Sequence, residues 1–366
     1  LRKENFMNDI RRTILWVIFG FSMVLLWDQW QVHNGNKATF FPTPPQQAKA
    51  ATETASGVPQ AAGVPVAVAP QGVATLPVVE SRTVSKELVQ VQTDVAKLSF
   101  DTEGGTLVRV ELLKHADEQK PGSNVVLLDD SKDRIYTAQT GLISNTPGVV
   151  LPTHKTVMMV RPGSRQLKEG DKELTIAFES PAQNGLKLIK TYTMKRAAYD
   201  IAVKHEIVNT SGQEVTPQVY FQLVRDGNKL AGESSFYSTF TGPAIYTEAK
   251  KYQKVEFADI KKKKVDVEKQ SNVGYIAMVQ HYFASAWILP DGMQRDISLD
   301  AVDIGSTMAD CCYRVTMISP LEAIKPGQTK TVTATFYAGP QEEKKLESLY
   351  PGLELVKDYG WLTILA

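Results

Sequence analysis

Cysteine is almost missing from this 366-residue chain: the only two are Cys311 and Cys312. Being adjacent, they can close only a vicinal disulfide or pair with other molecules, so no disulfide framework holds the fold. The plainer reading is two small residues in or beside a strand, because a metal site needs further ligands at suitable spacing. An excess of charge is missing too. Lysine plus arginine total 41 against 40 acidic residues, and a net charge of +1 leaves no overall field for gathering nucleic acid. The five histidines (His33, His115, His154, His205 and His281) include no pair at i, i+4 and no nearby carboxylate and cysteine set, so no metal site is assigned. No G-x-S-x-G elbow occurs, so no acyl-transfer nucleophile is assigned. No internal repeat is found.

What is present is a globular composition, 43% hydrophobic and 22% charged, long enough for one large core or two ordinary ones. Residues 14–27, ILWVIFGFSMVLLW, carry no charge, and the apolar character reaches Trp30. That is near the lower length of a spanning helix. A signal peptide is the rival reading, but Trp27, Gln29, Trp30 and Gln31 stand where cleavage wants small residues. An uncleaved anchor over 14–30 is therefore expected. Arg11 and Arg12 before it place residues 1–13 in the cytoplasm and the rest across the membrane, with Trp27 and Trp30 as interfacial anchors. The chain opens on Leu1, and Met7 is a more natural start.

Residues 31–85 are rich in Ala, Pro, Gln, Thr and Val without a period, so they cannot bury enough apolar surface to offset their ordering entropy. They read as a flexible spacer. From residue 86 to 340 short alternating runs take over, bounded by Gly, Pro, Asn and Asp. Val89, Val91 and Thr93 alternate with Leu88, Gln90 and Gln92; Leu174, Ile176 and Phe178, then Ile201, Val203, His205 and Ile207, then Val332, Ala334 and Phe336 repeat the theme. The pattern predicts a mainly β domain, a large antiparallel sandwich, and excludes a doubly wound nucleotide fold.

The period changes near Pro340. Leu346, Leu349, Tyr350, Leu353 and Val356 form a stripe at helical spacing, with Glu342 and Glu343 in the first turn and Pro351 expected to divide the helix. This short α-helical linker, 341–357, leads to residues 358–366, where Tyr359 and Trp361 precede an apolar run that is expected to begin a second, truncated membrane segment. Leu346, Leu349, Tyr350, Leu353, Tyr359 and Trp361 are the candidate partner or orientation surface.

Smaller features each carry a plain reading beside a functional one. Gly104 and Gly105 lie between two expected strands, which favours a tight turn over an anion cradle. His205 shares an apolar face and is expected to be a hydrogen-bonded structural histidine. Lys250, Lys251, Lys254, Lys261, Lys262, Lys263 and Lys264 make a basic cluster, either a solvated loop or a contact for anionic lipid headgroups. Tyr282, Phe283 and Trp287 are expected in the core, with a grip on a partner as the alternative.

These residues together resemble a known family. Asp9-Ile10-Arg11-Arg12 opening an anchor, the Pro/Ala/Gln spacer, a β-domain and the close Asp358-Tyr359-Gly360-Trp361 are similar to the Gram-negative YidC insertases. Gly104-Gly105 after Phe100-Asp101-Thr102, Thr239-Phe240-Thr241-Gly242, and the run from Lys251 to Phe257 fit the pattern; most specific is IAMVQHYFASAWI at 276–288. The match is weak over 114–170. The resemblance implies a β-supersandwich, galactose mutarotase-like, carried on an inner-membrane anchor and lying in the periplasm. It implies insertion of nascent membrane proteins, alone or with the Sec translocon, and no cofactor. Its mutarotase-like shape makes His205, His281 and Glu206 nameable as acid–base groups of a tethered carbohydrate-binding domain, the alternative reading, though the sequence brings no pair to one cleft.

Overall fold

The computed structural model describes residues 87–228, 240–306, 308 and 310–357. The expected anchor with Trp27 and Trp30, the spacer, and the segment holding Tyr359 and Trp361 lie outside the described residues.

Among the described residues the strands form two nine-stranded sheets. One runs in spatial order β1 (Leu88–Gln92), β2 (Ala96–Asp101), β3 (Thr106–Ala116), β4 (Asn124–Asp130), β5 (Ile135–Ile143), β10 (Gln218–Arg225), β17 (Tyr313–Pro320), β16 (Arg295–Ala301) and β13 (Gln270–Ser271). The other runs β12 (Lys251–Lys254), β11 (Gly242–Thr247), β14 (Tyr275–Gln280), β15 (Phe283–Ile288), β18 (Thr329–Pro340), β9 (Asp200–Asn209), β8 (Leu186–Lys195), β7 (Glu173–Glu179) and β6 (Met159–Val160). Every ladder between these strands is antiparallel, for example Leu174↔Met194 on β7 and β8 and Val203↔Ala334 on β9 and β18. The mainly β, antiparallel architecture expected from the alternation is the one that forms. Helices are short: α1 (Phe257–Lys261), α2 (Glu343–Leu349) and a 3₁₀ turn at Leu353–Val356. None among the described residues is long and apolar enough to cross a membrane.

The period of two does the sorting. Along β8 the buried positions are Leu186, Leu188, Lys190, Tyr192 and Met194, and along β9 they are Ile201, Val203, His205, Ile207 and Asn209. Registered pairing sets these residues in rows facing the other sheet, where each buried side chain of leucine or phenylalanine size contributes about 2 kcal/mol. Two aromatic groups anchor the core. Phe100 stands 4.8 Å from Tyr192 and 5.5 Å from Phe178, while Trp287 stands 5.3 Å from Phe221 and 4.6 Å from Phe336. The Trp287 indole donates to the Gln222 carbonyl, so its polar edge is satisfied in the core.

Strands β10 and β14 are buried along their whole length, which is why neither reads as an alternation. Cys311 and Cys312 lie directly before β17 and are joined to each other.

Candidate functional site

The stripe of the terminal helix finds a seat on the second sheet. Helix α2 starts after an extended Glu342, and Glu343 places its charge in the first turn, where the dipole favours it. It ends at an extended Tyr350, because Pro351 has no amide hydrogen to continue the ladder. Gly352 then turns the chain at φ +92, and the 3₁₀ turn follows. A side chain at Gly352 would meet the Tyr246 ring at 2.6 Å, so glycine is required twice over, by conformation and by space.

Leu346, Leu353 and Val356 are fully buried, and Leu349 and Tyr350 are packed against the same core at its edge. Of the candidate partner or orientation surface, Leu346 and Leu353 face the domain's own sheet and not solvent. The polar groups are matched as closely as the apolar ones. The Tyr350 hydroxyl donates to Asp291 Oδ1 at 2.7 Å and accepts from the Gly274 amide at 2.8 Å, while the Tyr275 hydroxyl donates to the Gly352 carbonyl at 2.7 Å. Tyr246 stacks on Tyr275 with centroids 5.6 Å apart. Gly274, at φ +103, brings the backbone so near Tyr246 that no Cβ fits. Beneath it the buried Arg295 guanidinium donates to the carbonyls of Gly274, Asn272 and Pro290. Burial and the bond to Asp291 push the Tyr350 hydroxyl up to about 12, so it stays a donor at physiological pH. Replacing Tyr350 by phenylalanine is expected to cost about 1–2 kcal/mol, because the Gly274 amide loses its acceptor. Urea unfolding measures it, and an unchanged midpoint would contradict the seat as described.

A second constellation lies between the sheets and was only half visible in the sequence. Lys190 is fully buried, with Nζ donating to the carbonyls of Gly104 at 2.7 Å and Thr140 at 2.6 Å. Burial lowers its ammonium from 10.5 to about 7. Beside it, in register across β8 and β9, His205 shares a hydrogen bond of 2.8 Å between Nε2 and Thr140 Oγ1. Burial first, and the Lys190 charge second, hold that imidazole well below its usual pKa. Gly104 and Gly105, both at positive φ, form a turn whose carbonyls point inward; Gly105 receives the Tyr192 hydroxyl. The turn thus accepts from an ammonium and a phenol. His154 pairs its Nδ1 with the Tyr220 hydroxyl at 2.6 Å. Lys190, Tyr192 and the His205–Thr140 pair tie β5, β8, β9 and the glycine turn together, and His154 ties its loop to β10.

The acid–base candidates do not meet. His205 faces inward, Glu206 takes the opposite face of β9 beside Lys204 at 3.1 Å, and His281 sits exposed at the tip of the β14–β15 hairpin. No group of three metal-binding side chains occurs among the described residues. Tyr282 is 64% exposed and Phe283 half-buried, whereas Trp287 is core. The lysine cluster follows β12, α1 and the turn after it. Lys250 pairs with Asp266 at 2.7 Å, Lys261 with Asp310 at 3.3 Å, and Lys254 stands over the Phe240 ring.

The family described as the YidC periplasmic domain matches residues 88–366. The chain belongs to the YidC family. It is 44% identical over 362 residues to the membrane protein insertase YidC of Janthinobacterium sp. (strain Marseille) and 46% identical over 362 residues to that of Cupriavidus metallidurans, covering 98% of this chain each time. The chain spans 62% of the length of these YidC relatives. Among solved structures it is similar to a galactose mutarotase-like protein from Lactobacillus casei (TM-score 0.45, 9% identity, covering 69% of this chain and 100% of that one). A galactose mutarotase related enzyme from Lactobacillus acidophilus is similar as well (TM-score 0.42, 10% identity, 69% and 97%).

Proposed function

We propose that this chain is the anchor and periplasmic interaction module of a membrane protein insertase, acting on nascent membrane proteins in the bacterial inner membrane, alone or beside the Sec translocon. The names of its YidC relatives support the activity. In this reading residues 14–30 anchor the chain with the N-terminus in the cytoplasm, 31–85 space the domain from the bilayer, and 358–366 enter the membrane again. The observation that carries the module's role is the seat: Leu346, Leu353 and Val356 fix the segment before residue 358 to the body of the second sheet. A segment so held sets the direction in which the following residues leave the domain. The carbohydrate alternative loses its paired groups, since His205 and Glu206 face opposite sides of β9.

The junction, in this proposal, matters more to insertion than the sheets do. Cells depleted of their own insertase and supplied with the full-length protein are expected to insert a small membrane protein. Removing residues 88–340 while sparing 341–366 is expected to keep most of that activity, and removing 343–356 alone to abolish it. Abolition by the first deletion would overturn the junction's primacy; no rescue by the intact, well-expressed protein would overturn the insertase reading.

A further inference from the structure

We infer that the lysine band from Lys250 to Lys264, which starts at the outer strand β12 of the second sheet and ends in the turn after α1, is a docking surface for an anionic phospholipid bilayer. The inference rests on the reading that the chain is tethered to a membrane, and it adds which face of the domain meets the lipid.

Three independent features point there. The first is charge. Residues 248–269 hold eight lysines against five carboxylates, a net +3 in a chain whose total is +1. Asp266 and Asp310 answer Lys250 and Lys261, whereas Lys251, Lys262, Lys263 and Lys264 are exposed and make no ion pair among the described residues. A cluster of several lysines is attracted to an anionic leaflet over about a Debye length.

The second is position. Lys251 pairs in register with Thr247, and the next pair, Tyr252 and Tyr246, sets the ring on which Gly352 rests. The band therefore begins beside the seat of the terminal helix, the place from which the chain runs on to Lys357 and beyond. A domain held to the membrane at that point keeps the start of the band close to the lipid.

The third is that edge protection does not account for the run. Lysines on an outer strand such as β12 keep it from pairing with another sheet. Lys262, Lys263 and Lys264 lie in no strand; they project from the turn after α1, which Ile260 and Phe257 fix against Val255 and Tyr313. Lys168 and Lys172, by contrast, lie in the loop before β7 interleaved with Glu169, Asp171 and Glu173.

The test uses the full-length protein in nanodiscs of phosphatidylcholine alone or mixed with phosphatidylglycerol, with lysine acetylation rates read by mass spectrometry. Acetylation of Lys251, Lys262, Lys263 and Lys264 is expected to slow by about threefold or more in the anionic discs and to recover in about 0.5 M salt, which shortens the Debye length to ~4 Å. Lys168 and Lys172 should label equally in both discs. In the triple variant Lys262→Gln, Lys263→Gln, Lys264→Gln, Lys251 should regain its rate. Equal labelling of the band in both lipids, or salt-insensitive slowing, overturns the inference, as does slowing at Lys251 that persists in the triple variant. Protein that fails to co-elute with either disc overturns the tether itself, a result distinct from loss of lipid preference.

Discussion

Replacing Leu353 by aspartate is expected to lift the terminal segment off the sheet while the two sheets stay folded. Leu353 is fully buried in the 3₁₀ turn, among the core residues that also hold Leu346 and Val356. Leucine's apolar site offers a carboxylate no water, and burying an unpaired charge costs several kcal/mol, about 3 or more. The segment is short, α2 and one turn, so local release costs less than unfolding the sheets. Hydrogen exchange should therefore show protection lost across residues 343–356 and kept in β8, β9 and β18. Leu353→Ala, which leaves a cavity and no charge, is expected to cost about 2–5 kcal/mol and to release the segment only in part. A Leu353→Asp protein with native protection over 343–356 would show that the seat is not what holds the segment.

Stability is expected to rise with pH above neutrality, which is unusual enough to identify its source. The Lys190 ammonium falls from 10.5 to about 7 in the folded domain because burial disfavours its charge. Between those values the unfolded chain binds a proton that the folded one does not, so stability increases with pH at up to ~1.4 kcal/mol per unit. It is lowest below 7, where the charge must be buried, and the full gain is at most ~5 kcal/mol. Burial raises the pKa of Tyr192, Tyr220 and Tyr275, and a raised tyrosine loses stability only above about 10, the unfolded value, so the rise is best read between about pH 7 and 9.5. On the acid side His154 and His205, both lowered, withdraw stability as pH falls below their ordinary range. Urea midpoints across this range measure the slope. Lys190→Met should flatten it. The methionine protein leaves the Gly104 and Thr140 carbonyls without their donor, worth about 1–3 kcal/mol each, so its deficit should be largest at high pH and smallest near 7. A slope that survives Lys190→Met would assign the effect elsewhere.

How much of this was legible before the structure depends on whether a residue's partner is near it in sequence. The strands β7, β8, β9 and β18 announce themselves because one face is apolar and the other is not, and the phase also places His205 inside. The same phase places Lys190 inside, between Leu188 and Tyr192, and that was the available signal for it; lysine's ordinary preference for solvent masked it. Its acceptors, Gly104 and Thr140, are 86 and 50 residues away and no local pattern points to them. The seat divides in the same way. Leu346, Leu353 and Val356 follow from helical spacing, whereas Tyr350's partners Gly274 and Asp291 lie 76 and 59 residues upstream. The lysine run is plain in the sequence, but only the fold shows that Asp310, 49 residues on, neutralises Lys261 and that the run starts beside Gly352. The doubly buried β10 and β14 gave no alternation to read.

The strand order has a consequence in time. β10 sits in the first sheet between β5 and β17, and β18 sits in the second between β15 and β9. Neither sheet can close until strands more than a hundred residues downstream of its first members have been made, and such distant pairings are slow to form. A ribosome would have to finish Pro340 before β9 and β15 stop being raw edges. The terminal helix comes next in the chain, and its seat at Gly274 and Tyr246 belongs to the sheet that β18 completes. The helix is thus the last part of the seat to be synthesised, and it packs on a sheet whose two halves only β18 joins.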